Sequence, residues 1–156
     1  MNSDFALVLR QLVRGRKVAA LGTLHAGKPF VSMVPFAVGA GGRLVIHISQ
    51  LAAHTRDILK NPDVSLLIAE SETPDKMPQM LARVTLQGRA RLLDRDGKSY
   101  APARGAYAAR FPDAASLFEF SDFKLFAINP LSARVIAGFG QAITISSEEF
   151  KSASST

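Results

Sequence analysis

The chain has 156 residues, of which 47% are hydrophobic and 21% charged, with 19 Lys and Arg against 13 Asp and Glu, a net charge of +6 and no cysteine. This is the size and composition of one globular domain with a real core. The missing cysteines exclude disulfides, thiolate metal sites and cysteine nucleophiles.

No apolar run approaches the roughly 20 residues of a membrane span, and the acidic start MNSDF carries no cleavage-site pattern. The expectation is a cytoplasmic protein without a membrane partner. The basic residues are scattered, with Arg10, Arg14, Arg16 and Lys17 as the one dense cluster. No basic helix face or RNA-binding signature accompanies them, so no nucleic-acid partner is expected.

In chain order, Ser3 or Asp4 caps a first helix from Phe5 to about Arg14, with Phe5, Val8, Leu9 and Leu12 on one face. Val18 to Leu24 reads as a strand, His25 to Lys28 as a hairpin turn, and Pro29 to Val38 as the return strand. Pro35 inside that strand marks an edge or a bulge. Gly39 to Gly42 lacks a Walker lysine and a following helix, so it reads as a turn. His25 reads as an exposed turn residue; His47, on the next strand, faces either side.

The segment LVIHISQLAAHTRDILKNPDVSLLIA, Leu44 to Ala69, organises the middle of the chain. It reads as strand, helix over Leu51 to Lys60, Asn-Pro stop and strand. Ser49 falls where an N-cap belongs, and His54, Thr55 and Arg56 lie in or beside the first turns. Hydroxyls, an imidazole and a guanidinium at a helix N-terminus suit a phosphate. They equally suit an ordinary capped helix with solvated polar residues.

After Ala69, ESETPDKMPQM is a polar flap. Leu81 to Leu93 alternates as a strand, with Arg83, Thr85, Gln87, Arg89 and Arg91 on one face. Ser99 to Phe111 reads as a helix and Asp113 as the cap of a short one. Phe123 to Ile128 reads as a strand ended by Asn129-Pro130, and Ala133 to Ala137 as another. Residues 146–156 read as a frayed serine-rich tail with a possible cap in SSEEF. The remainder, 1–145, reads as one domain.

Taken together, GKPFVSMVPF, HTRDILKNPDVSLLI, LARVTLQGRARLL and SDFKLFAI with the AGFGQA ending resemble the pyridoxamine 5'-phosphate oxidase-like FMN-binding split-barrel superfamily, in its heme-utilisation-type branch. The resemblance runs from about Leu12 to Ala142. It implies a mainly β fold with peripheral helices: an antiparallel split barrel, homodimeric, with FMN in clefts between subunits. It places Ser32, Met33, Val34 and Pro35 beside the flavin ring and Ser49, His54, Thr55 and Arg56 near its phosphate. Arg83 would reach the flavin, and Phe139 would close the cleft from the partner chain or pack in its own core.

The chain departs from pyridoxamine phosphate oxidase itself in having no Trp and in ending SSEEFKSASST. No histidine follows His54, whereas heme-degrading members are expected to draw an iron ligand from near the C-terminus. The leading expectation is therefore an FMN-dependent oxidoreductase acting on a small molecule. A heme-binding or heme-degrading protein and a non-catalytic flavin-binding protein are the alternatives.

Overall fold

The structure is a computed structural model, described over residues 1–155. Eight strands form one antiparallel sheet in the order β2-β1-β5-β6-β7-β4-β3, with β8 paired to β7. The strands are β1 (Val18–His25), β2 (Lys28–Pro35), β3 (Ala37–Val38), β4 (Leu44–Ser49), β5 (Asp63–Ala69), β6 (Arg83–Leu92), β7 (Phe123–Gly138) and β8 (Gln141–Ser146). Helices α1 (Ser3–Gly15), α2 (Ala53–Lys60), α3 (Tyr100–Arg110) and α4 (Ser147–Ser155) lie around it. The sheet curls on itself as a mixed α/β split barrel.

Strand β7 makes the split. Its first part pairs with β4, from Phe123 opposite Ser49 to Ile128 opposite Leu44. Its second part pairs with β8, while β6 runs beside both. The Asn129-Pro130 pair does not end this strand. Pro130 lies opposite Gly88, where the β6–β7 register shifts. A bulge leaves one residue outside the ladder, so a proline without an N–H passes at little cost. A side chain at position 88 would meet the Asn129 carbonyl at 2.7 Å, which explains the glycine there.

Alternation along the strands fills the barrel. Leu21, Leu66, Leu86, Ala133 and Ile145 lie in one cross-strand row and are all buried. Each such leucine contributes about 1.5–3 kcal/mol by leaving water. Helix α1 adds Leu9, Leu12 and Val13, and its N-cap is Asn2, whose side chain accepts from Phe5 N at 3.0 Å. A second, smaller core lies outside the sheet. There Val45, Leu125 and Ala127 meet Tyr100, Ala103 and Tyr107 of α3 and Phe118 of the 3-10 segment Pro112–Glu119.

The serine-rich end is ordered rather than frayed. Ser146 Oγ accepts from Glu149 N at 3.3 Å, and the Glu149 carboxylate accepts from Ser146 N at 2.9 Å. This reciprocal capping box starts α4. Phe150 and Ala153 then bury against the barrel, and the N-terminal ammonium pairs with Glu149 at 2.9 Å. Gly42, at φ 71°, lets the α4 backbone approach: a Cβ there would lie 2.3 Å from the Lys151 carbonyl. Thr156, the last residue of the expected tail, lies outside the described residues. Among the described residues, no helix is long and apolar enough to cross a membrane.

Candidate functional site

Helix α2 packs across the inner face of the β1–β2 hairpin and brings three polar contacts together. His54 Nδ1 and Ser32 Oγ are 2.9 Å apart. One turn further, Asp57 accepts from Thr23 Oγ1 at 2.9 Å and lies 2.7 Å from His25 Nδ1. Thr23 and His25 share a strand face by the two-residue repeat, and Phe30, directly opposite Thr23, shares it with them. Phe30 lies beside His25 with ring centroids 5.4 Å apart.

These contacts set the charge states. Burial lowers the His54 pKa, opposed by the nearby Asp57 carboxylate, so the imidazole is neutral at pH 7. The tautomer that donates Nδ1–H to Ser32 leaves the Nε2 lone pair free, the form a metal ligand takes. Burial alone would raise the Asp57 carboxyl. Hydrogen bonds from His25 and Thr23, with the charges of His25 and Lys60, outweigh it and leave the pKa below its ordinary value.

The first turn of α2 differs from the expected phosphate cradle. The helix begins at Ala53, and its N-cap position, Ala52, has no capping side chain. Ser49 instead ends β4: its hydroxyl donates to Asp122 at 3.1 Å and accepts from Leu51 N at 3.1 Å. Thr55 is fully buried and donates to the Ser49 carbonyl at 2.6 Å. Both hydroxyls are thus engaged in shaping the strand–helix turn. Arg56 is exposed.

Strand β2 divides the remaining expected residues between two faces. Ser32 and Val34 point inward with Leu21 and Ala19, their cross-strand partners. Met33 and Pro35 point outward, and the Met33 row leads through Ala20 and Leu67 to Thr85. Met33 is 63% exposed and its neighbour in that row, Leu67, 41%. Arg83 donates to the Leu81 carbonyl at 2.8 Å, so its guanidinium is tethered to the end of the flap. Phe139, at the β7–β8 hairpin tip beside Gly140 with φ 73°, is 75% exposed. It is not a core residue of its own chain. One protomer therefore unites Ser32 and His54 but leaves Arg83 and Phe139 apart from them.

Sequence reasoning missed Asp57, Thr23 and His25 as a unit. The signal was present: Asp57 lies three residues after His54, and Thr23 and His25 alternate on one strand. Among the described residues, no group of three or more His, Cys, Asp or Glu could hold a metal ion alone. A single axial imidazole with a macrocycle is a different demand.

The antiparallel split barrel, with polar contacts tying the β1–β2 hairpin to α2, defines the class, and sequence comparison gives the family. The profile described as CREG, beta-barrel matches residues 2–152. Heme oxygenase HutZ of Vibrio cholerae is 32% identical over 143 residues, covering 90% of this chain and 81% of its own length. The chloroplastic heme oxygenase HOZ of Arabidopsis thaliana is 36% identical over 152 residues, covering 93% of this chain but 45% of its own length. A heme binding protein from Mycobacterium smegmatis superposes with a TM-score of 0.87 at 27% identity, over 97% of this chain and 62% of its own. The chain belongs to the CREG β-barrel family, within the heme-utilisation branch of the pyridoxamine phosphate oxidase-like split-barrel superfamily.

These relatives overturn the leading functional expectation. They are heme oxygenases and a heme binding protein, so neither FMN as cofactor nor FMN-dependent oxidoreduction stands. The engaged hydroxyls of Ser49 and Thr55 give a physical reason: two of the groups expected to hold a flavin phosphate are bonded to Asp122, to Leu51 N and to the Ser49 carbonyl instead.

Proposed function

We propose that this protein is a heme-binding split-barrel protein of the heme oxygenase type, and that the Ser32–His54 pair marks its heme site. The observation that carries the reading is the His54 imidazole, with Nδ1 2.9 Å from Ser32 Oγ, beside β2 in a chain whose relatives are heme oxygenases.

The residues fit the group. Heme is a flat apolar macrocycle with two carboxylates, and it needs an axial donor, apolar cover and cations. His54 offers Nε2. Phe30 and Met33 are exposed apolar side chains on β2, Arg56 is an exposed cation on α2 and Arg83 a cation on β6. When bound, the iron supplies the oxygen and electron-transfer chemistry. The chain's part is to orient the imidazole through Ser32, to shield the ring and to neutralise the propionates.

Because β2 turns Ser32 and Met33 to opposite sides, one chain does not surround a flat ligand. A homodimer resolves this, with the outward face of one protomer and Phe139 of its partner completing the cleft. The exposed apolar residues Val31, Met33, Leu67 and Phe139 support that arrangement.

The reading is tested by titrating the purified protein with hemin and following the Soret band, then adding reductant under air. A saturable Soret shift, followed by bleaching with reductant, is the expected result. Absence of a saturable shift refutes the proposal; a shift without bleaching limits it to heme binding.

A further inference from the structure

A groove on the outer face of the sheet, with Pro62 just past the end of α2 at its margin, carries an excess of positive charge with no assigned use. It lies between the outward face of β4, β7 and β6 and the start of α3. Cross-strand pairing builds its base. Val45, Ala127 and Arg91 form one row, and Asn129 stands opposite Arg89 in the next, with Arg43 immediately before β4 at the same level. Two cavities, of about 530 and 240 Å3, meet there and share Arg43, Arg91 and Ala127. No carboxylate lines either.

The cations are under-used. The Arg43 side chain makes no hydrogen bond or ion pair among the described residues, although it lines both cavities. Arg91 reaches Ser99 Oγ only at 3.5 Å. Arg89 is shared with Asp63 at 3.4 Å. Lys98 lines the smaller cavity beside Ser99, the N-cap position of α3, which has no side-chain cap. The positive end of an 11-residue helix is thus added to the arginines and the lysine. Beneath the charges the base is apolar: Val45, Ala103 and Ala127 are buried there.

From this geometry we infer that the groove binds an organic phosphate, with the phosphates on Arg43, Arg91 and Lys98. Arginine forks match phosphate oxygens, and the apolar base accepts a flat ring such as a nucleobase. The like charges of Arg43, Arg91 and Lys98, with no carboxylate lining either cavity, repel one another, and a di- or trianion would relieve this. The site uses none of the residues proposed for heme and stands independently of that reading.

The test is isothermal titration of the full chain with ADP, and separately with inorganic pyrophosphate, at low and moderate salt. Binding of ADP that weakens with salt is expected. Arg43→Glu and Arg91→Glu should each weaken it about tenfold or more, as loss of a charge-assisted hydrogen bond implies. Arg134→Glu, an exposed arginine elsewhere on the sheet, should leave it unchanged. Arg43→Ala and thermal melts guard against a folding defect in the charge reversals. Binding of neither probe at millimolar concentration overturns the inference. So does an equal loss in Arg134→Glu, which would mean nonspecific attraction to a basic protein.

Discussion

Ser32 and His54 are 22 residues apart in sequence and 2.9 Å apart in space, the point at which the edge strand β2 and helix α2 are tied. Where the serine hydroxyl accepts from Nδ1–H, the Nε2 lone pair is left free. If His54 Nε2 faces iron, Ser32 is its outer-shell partner. Ser32→Ala should then lower heme affinity roughly 10- to 100-fold with little loss of stability, as outer-shell partners of metal ligands do. Hemin titration with a parallel thermal melt reads both. Unchanged affinity would make the contact a structural one.

The Asp57 carboxylate holds both Thr23 and His25 while lying almost out of solvent. Asp57→Ala leaves the buried Thr23 hydroxyl without its partner and should cost about 1–3 kcal/mol in denaturant unfolding. Its depressed pKa also gives a sign. The ionised carboxylate stabilises the fold above its ordinary value of 3.8, and that contribution is lost as pH falls through the folded pKa. The variant should lack this part of the acid limb.

His47 is 5% exposed and lies against Phe118, ring centroids 3.8 Å apart and 10° from parallel, with neither ring nitrogen hydrogen-bonded. Burial, with Arg95 and Arg104 nearby, lowers its pKa to about 4 from 6.5. The unfolded chain therefore takes up a proton that the folded one refuses. Stability is complete above pH 6.5 and declines as pH falls from 6.5 to about 4, by up to about 3 kcal/mol. His47→Phe keeps the aromatic stack and removes the titration. Unfolding free energies at pH 7.5 and 4.5 should converge in this variant relative to the parent. An unchanged difference would assign the acid sensitivity to other groups.

Phe139 is 75% exposed, so truncation to alanine should shift stability by no more than about 0.5 kcal/mol. A loss of 3–5 kcal/mol, the cost expected of a core phenylalanine, would contradict its placement. As cover for a ligand in the neighbouring protomer, the same substitution should weaken heme binding. It should also weaken any heme-promoted dimerisation seen by light scattering.

The barrel was largely legible in the sequence, because alternation in LARVTLQGRARLL and VAALGTL, with turn residues between, states strand and face directly. The Asn61-Pro62 stop was equally plain: α2 ends at Lys60. Three features were not. Asn129-Pro130 looked like a strand end because the compensating bulge opposite lies at Gly88, 42 positions away in the chain. The 147–155 helix looked frayed because its composition is poor, whereas Phe150 and the Ser146–Glu149 box fix it. Ser49 looked like a cap, but the chain runs three further residues before the helix starts at Ala53. At the site, Ser32 and His54 were both singled out through the family resemblance, but as contacts to a flavin ring and its phosphate, not as partners of each other. The Asp57 contacts were not foreseen, because they need the register of the β1–β2 hairpin.

The central claim is that His54 presents its Nε2 to a bound heme. Electron paramagnetic resonance of the ferric complex, with 15N-labelled histidine, reads this directly through nitrogen hyperfine coupling to the iron. The account predicts coupling from an axial imidazole in the parent protein and in His25→Ala, and its loss in His54→Ala. Coupling that persists in His54→Ala would contradict it.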